Sequence, residues 1–211
     1  VRSLLLLSAD DIVPGPYTYK RFWFRDACLM LHAMLVMGDS KRCAKQIDNF
    51  PQRQKYTGYF HSQEGEWDSN GQVLWLLERY QQLTGQELKQ TWWTAMEKGV
   101  DWIIRKRQSK VRDCPHAGLM PAGFSAEHFG PNDYYYWDNF WSLAGLYSAS
   151  RLAQTRQDQA RSDQISSVAA EYAKDIQQSI SSIPEHKKNN AIPASPYRRM
   201  DAGAIGSLVA D

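Results

Sequence analysis

Apolar residues in this chain fall into two kinds of helical stretch. In the first kind they keep to one face. Ile165, Val168, Ala169, Tyr172, Ile176 and Ile180 recur at helical spacing with Ser, Gln, Glu and Lys between them. Trp92, Met96, Val100, Ile103 and Ile104 repeat the pattern, and Ala44, Ile47 and Phe50 do so briefly after Ser40, which we read as an N-cap. In the second kind, clearest over 27–37, apolar residues run nearly all round, as in a helix packed on every side. Three stretches of this kind open on an aromatic residue and an Asp: FWFRDACLMLHAMLVMG at 22–38, EWDSNGQVLWLLERY at 66–80 and YYYWDNFWSLAGLYSASRLA at 134–153. A weaker fourth copy, YRRMDAGAIGSLVA, occupies 197–210.

Alternation of one-faced and enclosed helices at intervals of roughly 40 to 70 residues predicts an all-α chain of helical hairpins with an inner and an outer layer. Strand patterning is nearly absent. Long segments rich in Pro, Gly and aromatic residues, such as DDIVPGPYTYKRF and DCPHAGLMPAGFSAEHFGPNDYYY, lead into each inner helix, and their length marks them as functional loops. VRSLLLLSA reads as the tail of a helix, and the basic run RKRQSKVR at 105–112 as the solvated end of an outer helix. No stop signal follows the apolar run before Asp211, so the chain reads as part of a longer protein.

Each Asp of the repeated pattern is expected to cap its helix and to meet the positive end of the dipole. Side by side, such helices would gather Asp26, Asp68, Asp138 and Asp201 at one rim with Trp23, Trp67, Trp137 and Trp141. Carboxylates accept sugar hydroxyls and indole faces stack on sugar rings, so this cup suits a carbohydrate. The composition agrees, with 8 Trp and 11 Tyr among 211 residues.

Other chemistries find little support. Lys and Arg number 25 against 23 Asp and Glu, giving a net charge of +2, and no broad field calls for nucleic acid or anionic lipid. No run approaches the roughly 18 to 20 apolar residues of a membrane span. Three irregularly spaced cysteines read as reduced thiols and point to the cytoplasm. The five histidines are scattered, no zinc, calcium or phosphate loop is recognisable, and Cys114-Pro115-His116 is too short to define a motif. We expect neither metal nor cofactor.

Three ordered blocks carry a resemblance. YTYKRFWFRDACLMLHAMLVMG, GEWDSNGQVLWLLERYQQLTG and HAGLMPAGFSAEHFGPNDYYYWDNFWSLAGLYSASRLA resemble successive segments of glucoamylase-like enzymes, glycoside hydrolase family 15, within the six-hairpin glycosidase group. The likeness covers most of residues 17–153. It implies an (α/α)6 toroid, incomplete here because about four inner helices are present where six hairpins close the ring. It also implies hydrolysis of α-linked glucosides with inversion. Arg25 and Asp26, with Trp67 and Asp68, would hold the non-reducing sugar, and Glu127 would be the general acid. The family has Trp before that Glu, where this chain has Ala126. Related trehalases and processing glucosidases place an acidic Asp in a Gly-Trp-Asp context, which makes Asp138 the rival. The family's base would follow Asp211. Arg198 and Arg199 are expected to pair with Asp201 or another rim carboxylate, or to serve the surface. The competing readings are a non-catalytic carbohydrate-binding or regulatory module of the same fold and a purely structural helical array.

Overall fold

The computed structural model describes residues 2–8, 11–110, 113–124, 130–188 and 190–199. Its elements are helical: α1 (Arg2–Leu6), α2 (Phe24–Val36), α3 (Ser40–Ile47), a 3-10 turn (Pro51–Arg53), α4 (Ser69–Thr84), α5 (Gln90–Lys106), α6 (Tyr136–Thr155), α7 (Gln159–Ser182) and α8 (Glu185–Lys188). Among the described residues there is no strand; Gln54 with Phe60 and Gly123 with Asp133 form isolated bridges. The chain is all-α, as the patterning predicts.

The two kinds of helix take two positions. The enclosed helices α2, α4 and α6 form a row, α4 in the middle, and each is followed by the one-faced helix that packs back on it: α3 on α2, α5 on α4 and α7 on α6. The row runs parallel. Arg25 at the start of α2 meets Asp68 at the start of α4, and His32 and Trp75, each seven residues further on, lie 4.8 Å apart. The returning helices bury the faces the periodicity marks, with Trp92, Met96, Val100 and Ile103 of α5 and Ile165, Ala169, Tyr172 and Ile176 of α7 all in the core. Gly85 ends α4 by taking φ 67°, a left-handed turn that an L side chain resists, and its N–H closes on the Gln81 carbonyl.

The tightest point in the row is backbone against backbone. A Cβ added at Gly71 would lie 2.0 Å from the Trp141 carbonyl oxygen, and one added at Gly145 would lie 2.6 Å from the Gly71 Cα. The two glycines let α4 and α6 approach closely near their N-termini. They also set the spacing of the side chains one turn further up.

Three local expectations are corrected. The N-cap of α3 is Asp39, whose carboxylate accepts the Arg42 N–H, while Ser40 is the first helical residue. Helix α2 is not packed on every side: Leu29, Met37 and Val36, the last 66% exposed, lie on an open face. The basic run after α5 is only partly solvated, because the Arg107 guanidinium sits 4.1 Å over the Tyr172 ring and pairs with Asp175. Anchoring across 68 residues cannot be read from a local run of charge. The fourth Asp-led copy lies almost wholly outside the described residues.

Candidate functional site

The parallel row brings three helix N-termini to one end of the molecule. None of the three aspartates there caps its helix. Asp26 and Asp138 lie inside the first turns of α2 and α6, behind Trp23 and Tyr135 at the cap positions, and Asp68 holds the cap position of α4 without a side-chain cap bond. The carboxylates face each other across helices instead. Asp68 Oδ2 accepts from Arg25 Nε at 2.7 Å, from the Trp137 indole N–H at 2.7 Å and from Gln72 Nε2 at 3.2 Å. Glu66 Oε2 lies 3.8 Å from Arg25 Nη2. The Trp67 backbone N–H is aimed at the Asp138 carboxyl. Asp68 Oδ1 and Asp138 Oδ2 are buried and have no hydrogen-bond partner among the described residues.

Three carboxyls thus surround one guanidinium, all three buried from the surface. Asp68 is 0% exposed, Glu66 1% and Asp138 2%. Burial above all, then the neighbouring Asp68, pushes the Asp138 carboxyl well above the usual carboxylate range, while Arg25 and the Trp67 N–H oppose the shift. Burial also raises Asp26, against the pull of Arg25. Burial disfavours the Arg25 charge, but Asp68 and Glu66 outweigh it and hold its proton more tightly than water would.

The Asp138 shift gives a signed expectation. A carboxyl whose folded pKa lies above its unfolded value of about 3.9 makes the native state the better proton binder. Its stabilising contribution is therefore complete below that value and is lost as pH rises through the raised one. Asp138→Asn, neutral at every pH, should flatten the fall in urea midpoint as pH rises above about 4. Parallel curves for variant and wild type would show that Asp138 does not titrate this way.

The tryptophans divide. Trp67 is 5% exposed, with Lys106 Nζ 3.9 Å over its ring and Tyr59 and Trp102 against it, so it forms a wall and offers no open stacking face. Trp141 is buried between Trp75 and Trp137, with its indole N–H unpartnered among the described residues. Trp137 and Trp23 are half-buried, and the Arg21 guanidinium lies 3.8 Å over the Trp23 ring. Arg198 reaches the Tyr135 hydroxyl at 3.0 Å, at the start of α6. Glu127 and Asp201 lie outside the described residues.

The sequence reading overlooked Glu66 and Gln72. Gln72 was legible, since it follows Asp68 by four residues on one helix face. Glu66 precedes Asp68 by two in an irregular segment, and no periodicity marks it. Two buried asparagines support the rim. Asn70 donates to the Gly58 and Gly99 carbonyls and accepts the Phe60 N–H. Asn139 donates to the Tyr135 carbonyl and accepts from the Met120 N–H and the Tyr172 hydroxyl. Among the described residues no group of three or more His, Cys, Asp or Glu could hold a metal ion, and no helix is long and apolar enough to cross a membrane. No family model, curated protein or solved structure matches this chain.

Proposed function

We propose that this chain carries the sugar site of a glucoamylase-like glycoside hydrolase, which cleaves α-linked glucosides or related oligosaccharides with inversion and without a cofactor. Its helical pairs would be members of an (α/α)6 toroid. One observation supports the reading most: Arg25 and Trp137 converge on a single oxygen of Asp68, leaving its other oxygen without a hydrogen bond among the described residues, and burial and Asp68 push the nearby Asp138 carboxyl well above the usual range. Plain helix capping would not produce that arrangement, and by the family resemblance Arg25 and Asp26 would take the hydroxyls of a terminal sugar.

Inverting hydrolysis requires one protonated carboxyl to donate to the leaving glycosidic oxygen and a second, ionised one roughly 6.5–9.5 Å away to take a proton from the attacking water. Glu127 is the donor by family resemblance. Asp138 is its rival by surroundings, since burial pushes its carboxyl well above the usual carboxylate range, as a proton donor requires. The test is sugar release by the full chain from a panel of α- and β-glucosides, with the anomer of the first product read by NMR. Glu127→Gln should lower turnover by about a hundredfold or more with the fold intact, the usual contribution of a general acid. If Asp138→Asn does so and Glu127→Gln does not, Asp138 is the donor. Sugar binding without turnover would establish the non-catalytic carbohydrate-binding module, and neither binding nor turnover would end the carbohydrate reading.

A further inference from the structure

The segment after α5 holds a second chemical cluster, apart from Arg25 and its carboxylates. Cys114 Sγ lies 3.4 Å from His116 Nε2, and His116 Nδ1 lies 2.5 Å from the Tyr197 hydroxyl. The imidazole is stacked on Tyr134, with ring centroids 3.9 Å apart and planes 9° from parallel, so its orientation is fixed. Cys114 also lines a cavity of about 430 Å³ with Lys110, Asp113, Asp175, Gln178 and Ser179, whereas His116 stands behind the thiol, outside that wall. A thiol residue thus borders a cavity with a base within reach of its sulfur and a third group that orients the base.

The other thiols differ. Cys28 and Cys43 are both fully buried; burial pushes Cys28 well above the usual thiol value and Cys43 up to about 12. Around His116, burial lowers the imidazole and Asp133 partly restores it, which keeps the ring neutral and able to accept a proton near neutral pH. When Nδ1–H is given to the Tyr197 oxygen, Nε2 is free for the thiol proton. The cavity wall carries both signs of charge: Lys110 Nζ sits 2.8 Å from Asp175 Oδ2 and also pairs with Glu171, Asp175 also pairs with Arg107, and Asp113 adds a carboxylate. Such a wall fits a small molecule bearing both carboxylate and ammonium groups.

We propose that Cys114, with His116 as its base, is a reactive thiol that forms a mixed disulfide with small zwitterionic disulfides entering this cavity. The Cys114 proton moves to His116 Nε2, and the thiolate attacks one sulfur of the small disulfide. That molecule's S–S bond breaks as the new one forms. The departing thiolate leaves with the bond's electron pair and recovers the proton from His116, so no other oxidant is needed.

The test incubates the full chain with oxidised glutathione and maps the adduct by peptide mass. The adduct should appear on Cys114, with Cys28 and Cys43 as internal controls. Near pH 7, His116→Ala should slow its formation by about tenfold or more and steepen its rise with pH, as for an unassisted thiol. Tyr197→Phe, which removes one hydroxyl from a partly exposed ring, should slow it less and decides the matter if His116→Ala does not fold. The rate advantage over a free small thiol should shrink when neutral hydroxyethyl disulfide replaces oxidised glutathione. Equal rates and pH profiles for wild type, His116→Ala and Tyr197→Phe would overturn the activation. An adduct on Cys28 or Cys43 in place of Cys114 would overturn the site, and an equal advantage with the neutral disulfide would overturn the ligand class.

Discussion

Arg25→Ala should lower the unfolding free energy at neutral pH by about 3–5 kcal/mol, the cost of stranding buried charge when one partner of an ion pair is removed. Arg25 is itself only 17% exposed, and its partners Asp68 and Glu66 are at 1%. Without the guanidinium, Asp68 keeps the Trp137 and Gln72 N–H groups and Asp138 the Trp67 N–H, but the buried carboxyls lose the one positive charge that Asp68 and Glu66 share. The protein can relieve this by taking up a proton, so the deficit should shrink as pH falls and carboxyls protonate. Asp68→Asn in the Arg25→Ala background should recover part of the loss. Urea unfolding of the four proteins of that cycle measures the effect. A single-variant loss under about 1 kcal/mol would place the pair in the class of solvated ion pairs.

Gly71→Ala should cost about 3 kcal/mol or more, through overpacking that neither helix can relieve. The added methyl would meet the Trp141 carbonyl carbon and oxygen and the Ser142 nitrogen, all backbone of α6. Backbone moves only with its helix, and sliding α6 would separate Trp137 from Asp68. Gly99→Ala is the matched control: its methyl would meet side-chain atoms, the nearest 3.1 Å away on the Phe60 ring, and Ala favours a helix by about 1 kcal/mol. Thermal unfolding should place Gly71→Ala far below wild type and Gly99→Ala near it. A near-neutral Gly71→Ala would mean that α4 and α6 do not meet at that point.

How much of this was legible in the sequence depended on range. The outer helices were readable because burial of one face leaves a period, and Ile165 through Ile176 and Trp92 through Ile103 lie where that period put them. The gathering of Asp26, Asp68 and Asp138 was readable because a repeated motif on parallel helices repeats its place in space. Their partners were not. Asp68 binds Arg25 across 43 residues and Trp137 across 69, and local sequence offers capping as the simpler reading for each aspartate. The repeated motif promised four stacking tryptophans at the rim, but the indole of Trp67 is taken up by Lys106, Tyr59 and Trp102, and Trp141 is buried. The apolar circumference of α2 predicted complete burial, yet Leu29, Val36 and Met37 are exposed among the described residues.

Asn70 and Asn139 each stand one or two residues beyond a site aspartate and tie a distant loop to the helix that carries it. The loops are therefore held at Phe60 and Met120, and the stretches 61–65 and 121–124 continue from those fixed points. Exposed side chains there, such as that of Glu64, can change without shifting Asp68 or Asp138. The scaffold separates what must be inherited from what is free to adapt: exposed loop side chains can change in place, while loss of Asn70 or of Asn139 would release the loop that each one holds.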